Sequence, residues 1–268
     1  MINLTQLSKK YRSDLFEKFL EVQQGHPGST FSMLDIVTTL YHGGFVRFDQ
    51  ENKKFLDKVI ISKGHATVAL YPILVKFGII PQKEWDNWGK SDSCLRIFGN
   101  TTIPGIDVTS GSLGHGIGIG AGMALAYKRT GINKKVYVVI SEGELYEGST
   151  WEALLFAAHN KLDNLTIFID INSLIILGDT DDCLTLNSIK DKLSGWNFMT
   201  SEIDGHDCNQ INQTLLEMDG NKNIITPRII FAKTIKVKGF SIMENKANWH
   251  YWNKLSDIQI EQCRKEIL

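Results

Sequence analysis

Residues 136–178 read VYVVISEGELYEGSTWEALLFAAHNKLDNLTIFIDINSLIILG, and this stretch decides the fold. Val136 to Ile140 and Leu165 to Ile169 are apolar at consecutive positions, so each is a strand covered on both faces. Trp151 to His159 carries apolar residues at helical spacing between them. Two such strands joined through a helix predict a parallel pair with a crossover.

The same alternation continues outward. Upstream, the spacing predicts helices over Leu7 to Val22 and Ser32 to Tyr41, separated by a Gly25-His26-Pro27-Gly28 breaker. A short strand over Val59 to Ile61, a helix over Ala66 to Phe77 and an irregular stretch from Trp85 to Ile106 follow. Downstream come a helix at Leu186 to Leu193, a strand near Phe198 to Ile203, a helix at Asn209 to Met218 and a strand at Ile229 to Ala232. The pattern implies an α/β fold, a three-layer parallel sheet with helices on both faces. With no internal repeat, low-complexity tract or linker, residues 1–268 read as a single domain. Such sheets bind ligands beyond the carboxyl ends of their strands. That directs attention to Ser62 to His65, Ser141 to Gly148 and Asp170 to Gly178.

Composition narrows the function. The chain is 43% hydrophobic and 22% charged with a formal net charge of −1, so no global field favours nucleic acid or an anionic membrane. The basic run Lys233 to Lys238 reads as a strand end or loop. Cys94, Cys183, Cys208 and Cys263 lie far apart without a CxxC pair, which argues against a zinc site or disulfide framework. The first twenty residues lack a secretion-signal pattern, and no apolar run approaches the ~18 residues of a membrane span. A reduced, cytoplasmic protein is expected.

The first strand ends at Ser141-Glu142-Gly143, which puts a carboxylate at the sheet edge beside open backbone. Ser149 and Glu152 have the S-x-x-E form of a capping box at the next helix, and a helix start favours a phosphate. Thirty residues past Glu142, after the neighbouring strand, stands Asn172. A carboxylate and an amide oxygen brought together with diphosphate oxygens and water suit octahedral Mg²⁺ or a similar hard cation. The glycine run from Gly114 to Gly122 lacks the preceding strand and following acid of a dinucleotide fingerprint. Gly114, Gly118 and Gly122 instead make one smooth helix face for close packing, as at a subunit interface.

The segment resembles the thiamine-diphosphate motif of transketolases, and in particular the amino-terminal subunits of split transketolases. The likeness extends to Gly25-His26-Pro27-Gly28, Ser62-Lys63-Gly64-His65-Ala66, Gly105-Ile106-Asp107-Val108, Ser110-Gly111-Ser112-Leu113-Gly114, Asp204-Gly205-His206-Asp207 and Met243-Glu244-Asn245 to Trp249-His250, in the family's order. The resemblance implies a diphosphate-binding domain in which Glu142, Asn172 and the Leu174 carbonyl hold Mg²⁺ (or Ca²⁺ or Mn²⁺). It implies that Ser141 and Gly143 approach the diphosphate of thiamine diphosphate through their backbone, with His65 and His250 beside the diphosphate and the reacting carbon. Leu113 and Gly114 would lie beside the aminopyrimidine, His26 would meet substrate hydroxyls, and Glu147 would face its counterpart across a subunit interface. His206 is left as a structural residue. The pyrimidine-binding and carboxyl-terminal domains of the family are expected on a partner chain, in an α2β2 assembly acting on small sugars.

Several positions depart from the family. Glu142 replaces the usual aspartate, Ser141 and Ser173 replace glycines, and Asn100 stands where a histidine usually contacts donor hydroxyls. These changes point to ketol transfer with a specialised sugar. Two other readings stay open on the sequence. One is a different thiamine-diphosphate subunit, deoxyxylulose-phosphate synthase-like or 2-oxoacid decarboxylating. The other is a non-catalytic cofactor-binding or regulatory subunit.

Overall fold

A computed structural model describes residues 2–186, 188–221 and 225–267. The helices are α1 (Leu4–Val22), α2 (Pro27–His42), α3 (Tyr71–Lys76), α4 (Gln82–Asp86), α5 (His115–Thr130), α6 (Gly148–His159), α7 (Thr180–Leu184), α8 (Ile189–Ser194), α9 (Cys208–Gly220) and α10 (Asp257–Glu266). The strands β1 (Phe48–Asp49) and β2 (Lys54–Phe55) form a small antiparallel hairpin. The strands β3 (Lys58–Ile61), β4 (Val136–Ser141), β5 (Leu165–Ile171), β6 (Met199–Asp204) and β7 (Arg228–Lys233) form one sheet in the order β3-β4-β5-β7-β6. Every pairing in it is parallel.

Alternation along the strands separates two apolar layers. Tyr137, Val139, Phe168 and Ile230 pack with α1, α2 and α9 on one face. Val138, Ile140, Ile167, Ile169 and Phe231 pack with α5 and α6 on the other. This is the three-layer α/β fold that the two-faced strands imply, and each strand of the parallel sheet is found within one or two residues of its expected bounds, while the hairpin β1–β2 was not expected. Parallel strands need covered faces because nothing else shields their apolar side chains on both sides.

Helix ends differ more, for local reasons. Asn3 starts α1 early by accepting the Gln6 amide at 3.1 Å. α2 begins at Pro27 rather than Ser32, since proline at a first helical position has its φ already set and needs no N–H partner. The stretch expected as one helix over Ala66 to Phe77 is a 3-10 turn, Gly64–Leu70, followed by α3. The helix expected at Leu186 to Leu193 is α8, which starts at Ile189, with α7 before it; Asn187 lies outside the described residues. Among the described residues no helix is long and apolar enough to cross a membrane.

Candidate active site

The carboxyl ends of β3, β4, β5 and β7 open into one cavity of about 400 Å³. His26, His65, Leu113, Ser141, Glu142, Gly143, Glu147, Asn172, Leu174 and His250 all line it. Gly114 is not among the lining residues; it follows Leu113 at the start of α5, with φ of 79°. A Cβ there would sit 2.5 Å from the Ser149 hydroxyl and 2.7 Å from the Glu147 Cβ, so only glycine fits. The parallel register that aligns Ser141 with Asp170 carries Glu142 and Asn172 out at the same edge.

The turn after β4 is a 3-10 helix, Glu142–Tyr146, and it holds the capping box. Ser141 caps the Glu144 amide, and Glu144 reaches back to the Ser141 amide at 2.9 Å. The expected box at Ser149 and Glu152 does not form: α6 has no side-chain cap, and the Ser149 hydroxyl donates to the Gly114 carbonyl at 3.1 Å. The reason is position. Ser141 stands where the strand stops, with extended backbone, while Ser149 is already inside α6.

Glu142 is buried, and its carboxylate accepts the Ser173 amide at 2.8 Å and the Thr180 hydroxyl at 3.4 Å. Burial pushes its carboxyl up, the two hydrogen bonds offset part of that, and Asp170 and Asp181 add to the rise. Ser173 holds φ of 56°, the left-handed conformation that suits the glycine usual at this place. The Asn172 amide oxygen accepts the Leu174 amide at 3.2 Å. Among the described residues no three His, Cys, Asp or Glu side chains are grouped so that they could hold a metal ion. A cation at this edge would therefore rely on one carboxylate with amide and carbonyl oxygens, a hard donor set that fits Mg²⁺.

Three imidazoles of the cavity lining stand close together. The ring of His26 lies 4.9 Å from that of His65 and 5.4 Å from that of His250. His65 shares a 2.8 Å hydrogen bond with the Ser29 hydroxyl. The Nδ1 atoms of His26 and His250 have no partner, an unmet capacity that a bound polar group can use. Burial lowers the pKa of His26 to about 4. Burial, with Lys236, His26 and Lys63 nearby, lowers that of His250 to about 4 as well. His65 is pushed well below its usual value, first by burial and then by the neighbouring His26 and Lys63. All three rings are neutral near pH 7 and can accept protons.

Two lysines that the sequence did not single out also line the cavity. Lys63 is fully buried and pairs with Asp170, which also takes the hydroxyls of Ser32 and Thr234. Lys236, from the run read as a strand end or loop, is 2% exposed and donates to the Ile175 carbonyl at 3.1 Å. Burial and Lys63 lower its pKa to about 8. Its position is set by long-range packing, so only the bare presence of lysines after β7 hinted at it. Phe98 and Tyr251 complete the rim, their rings 5.6 Å and 5.0 Å from that of His26. Asn100 does not line the cavity, and its amide oxygen is taken by the Thr102 amide at 2.8 Å.

With this geometry in place, the similarity to known proteins is informative. The family described as transketolase, thiamine diphosphate binding domain, matches residues 7–267. The chain belongs to this family. An apulose-4-phosphate transketolase chain of Phocaeicola vulgatus, named as one subunit of its enzyme, is 35% identical over 262 residues, covering 97% of this chain and 92% of that protein. 6-Deoxy-6-sulfo-D-fructose transketolase subunit SqwG of Clostridium sp. is 31% identical over 252 residues, 93% of this chain and 90% of that one. The transketolase of Campylobacter jejuni superposes with a TM-score of 0.89 at 26% identity. That match covers 100% of this chain and 43% of the Campylobacter chain, so this chain spans less than half of a full-length transketolase. It is a transketolase-type transferase subunit of the split kind, with a thiamine-diphosphate-binding domain.

Proposed function

We propose that this transketolase subunit, joined to a second chain that carries the pyrimidine-binding and carboxyl-terminal domains, transfers a two-carbon ketol unit from a ketose to an aldehyde. Residues 1–268 are read as one diphosphate-binding domain, and the assembly as α2β2 with cofactors at the boundaries between chains. The observation that carries the reading is the cavity itself, where three neutral imidazoles and a lysine share a lining of about 400 Å³ with the Glu142 carboxylate and the Asn172 amide.

Glu142, Asn172 and the Leu174 carbonyl would hold Mg²⁺ (or Ca²⁺ or Mn²⁺). The backbone of Ser141 and Gly143, with His65, His250 and Lys236, would receive the diphosphate. Leu113 and Gly114 would flank the aminopyrimidine. When bound, thiamine diphosphate supplies a nucleophilic carbon and an electron sink for breaking and making the bond beside the carbonyl. His26 and His250 contribute by accepting and returning protons at sugar hydroxyls, a role worth about 10²–10⁴-fold. Glu147, exposed at the start of α6, would meet its counterpart across the interface.

The substrate is read as a specialised sugar. Relatives at 35% and 31% identity are named for apulose 4-phosphate and 6-deoxy-6-sulfofructose. The cavity lining here includes the aromatic rings of Phe98 and Tyr251, and Asn100 is not part of it. A donor–acceptor screen of the chain mixed with its partner, with product analysis of ketose against pyruvate donors, tests this. Turnover of ketoses only in the mixture is expected. Activity of the chain alone, or pyruvate decarboxylation, would overturn it.

A further inference from the structure

His206, outside the cavity, is tied to it through one carboxylate. Asp35 on α2 is buried, and its Oδ2 accepts Arg12 Nη2 at 2.7 Å and His206 Nδ1 at 2.8 Å, while Oδ1 takes the Ser8 hydroxyl. With Nδ1–H donated to Asp35, Nε2 is left as an acceptor. It receives the Ile235 amide at 2.8 Å. Arg12, on the same carboxylate, donates to the Lys238 carbonyl at 2.9 Å. The two residues thus grip the chain on both sides of Lys236.

The segment between these grips is conformationally tight. Val237 holds φ of 59°, unfavourable for a β-branched residue unless its surroundings enforce it. Thr234 is fixed by its hydroxyl bond to Asp170 and by the hydrogen bond that its amide donates to the Ile171 carbonyl at 2.8 Å. Gly28 walls the Lys236 stem: a Cβ there would come within 2.9 Å of Lys236 Cε. The side chain passes Gly28 on its way into the cavity, and where it starts is set by where residues 235 and 238 are held.

We propose that Asp35, acting through His206 and Arg12, is a clamp that sets Lys236 in the cavity, with His206 a positioning residue for diphosphate binding. The diphosphate part rests on the reading of the cavity given above. The clamp itself does not.

Amide hydrogen exchange over residues 234–238 of the unliganded chain, combined with calorimetric titration of thiamine diphosphate and Mg²⁺, tests it. His206→Phe is expected to speed exchange at Ile235 while leaving β4 protected, and His206→Gln, which keeps an acceptor, to recover protection in part. Affinity is expected to fall about tenfold in His206→Phe, the scale of one lost buried hydrogen bond, and not to fall further when Lys236→Met is already present. Unchanged exchange at Ile235 would overturn the clamp whether or not cofactor binds. Faster exchange with unchanged affinity, or additive effects of the two substitutions, would overturn the role toward Lys236. If the unsubstituted chain binds no cofactor even with its partner, the diphosphate role falls with the cavity reading, and exchange alone decides the clamp.

Discussion

The Glu144 carboxylate accepts the Ser62 hydroxyl at 2.5 Å, joining the loop after β3 to the turn after β4. It also takes the amides of Gly114 and Ser141, each at 2.9 Å. One fully buried side chain therefore sets the relative position of three loops that line or underlie the cavity. Burial pushes its carboxyl up, and these donors with Lys63 act against the rise. Glu144→Ala strands the buried donors of Ser62 and Gly114 and the half-buried Ser141 amide, and is expected to cost about 3 kcal/mol, since each unmet buried donor costs ~1–3 kcal/mol. Urea unfolding measures this; a loss under about 1 kcal/mol would mean that water replaces the carboxylate.

The glycines of α5 allow a sharper test of packing. Gly116 and Gly120, not Gly118 and Gly122, face the sheet: a Cβ at Gly120 would meet Val138 at 2.5 Å, and one at Gly116 would meet Ser62 at 2.6 Å. Gly118 and Gly122 have nothing within 4 Å, and exposed Ile119 lies between them. Gly120→Ala is expected to destabilise by about 1–3 kcal/mol through overpacking. Gly118→Ala is expected to stabilise the isolated chain by up to ~1 kcal/mol through helix propensity. If Gly118 and Gly122 seat a partner chain, Gly118→Ala should also weaken association, measured by sedimentation of the mixed chains. Unchanged association would place the interface elsewhere.

These two rows show what the sequence could and could not say. Interleaved glycines at i and i+4 are equivalent on paper, and only the docking of α5 against β3 and β4 decides which row is inside. The same holds for the two S-x-x-E patterns, at Ser141 and Ser149, which spacing cannot distinguish. The strands were legible because VYVVI and LTIFI are apolar on both faces. The edge that presents Glu142 and Asn172 follows from their position after neighbouring parallel strands. Lys236, the Asp35–His206 pair and the reach of Glu144 beyond its own turn were not legible, because those partners lie far away in sequence, from 30 residues for Glu144 and Gly114 to 171 for Asp35 and His206.

Ser173 invites the replacement its backbone prefers. At φ of 56° a non-glycine residue is strained by ~1–2 kcal/mol, while glycine costs ~0.5–1 kcal/mol in the unfolded chain's entropy. Ser173→Gly is therefore expected to raise stability by about 0.5 kcal/mol, with the amide bond to Glu142 retained. Thermal unfolding checks it, and a clear loss would show that the Ser173 side chain makes a contact that offsets the strain.

The histidine wall should make stability depend on pH. His26 and His250 have folded pKa values of about 4, below the 6.5 of an unperturbed imidazole. The unfolded chain therefore binds more protons between those values, so the stability contributed by the neutral rings is present above pH ~6.5 and lost as pH falls toward ~4. Urea midpoints at pH 7 and pH 5 should fall more for the natural chain than for His26→Gln. An equal fall in both would show that His26 is not held neutral by burial.

Chelation should separate the metal from the cofactor. If Glu142, Asn172 and Leu174 hold a cation that cofactor binding needs, thiamine diphosphate should raise the unfolding temperature only with Mg²⁺ present, and EDTA should reverse the gain. At a cofactor concentration of 100 times its Kd, linkage gives about 2.7 kcal/mol of added stability. Glu142→Ala should remove most of that gain while folding without ligand, because it also relieves a carboxylate that burial, and to a lesser extent Asp170 and Asp181, makes costly to ionise. Glu142→Asp restores the shorter side chain usual in the family, and its effect reads out whether the loop at Ser173 is set for glutamate. A gain with thiamine diphosphate that survives EDTA would mean that Lys236 and the imidazoles bind the diphosphate without a metal, and would remove Glu142 from the site.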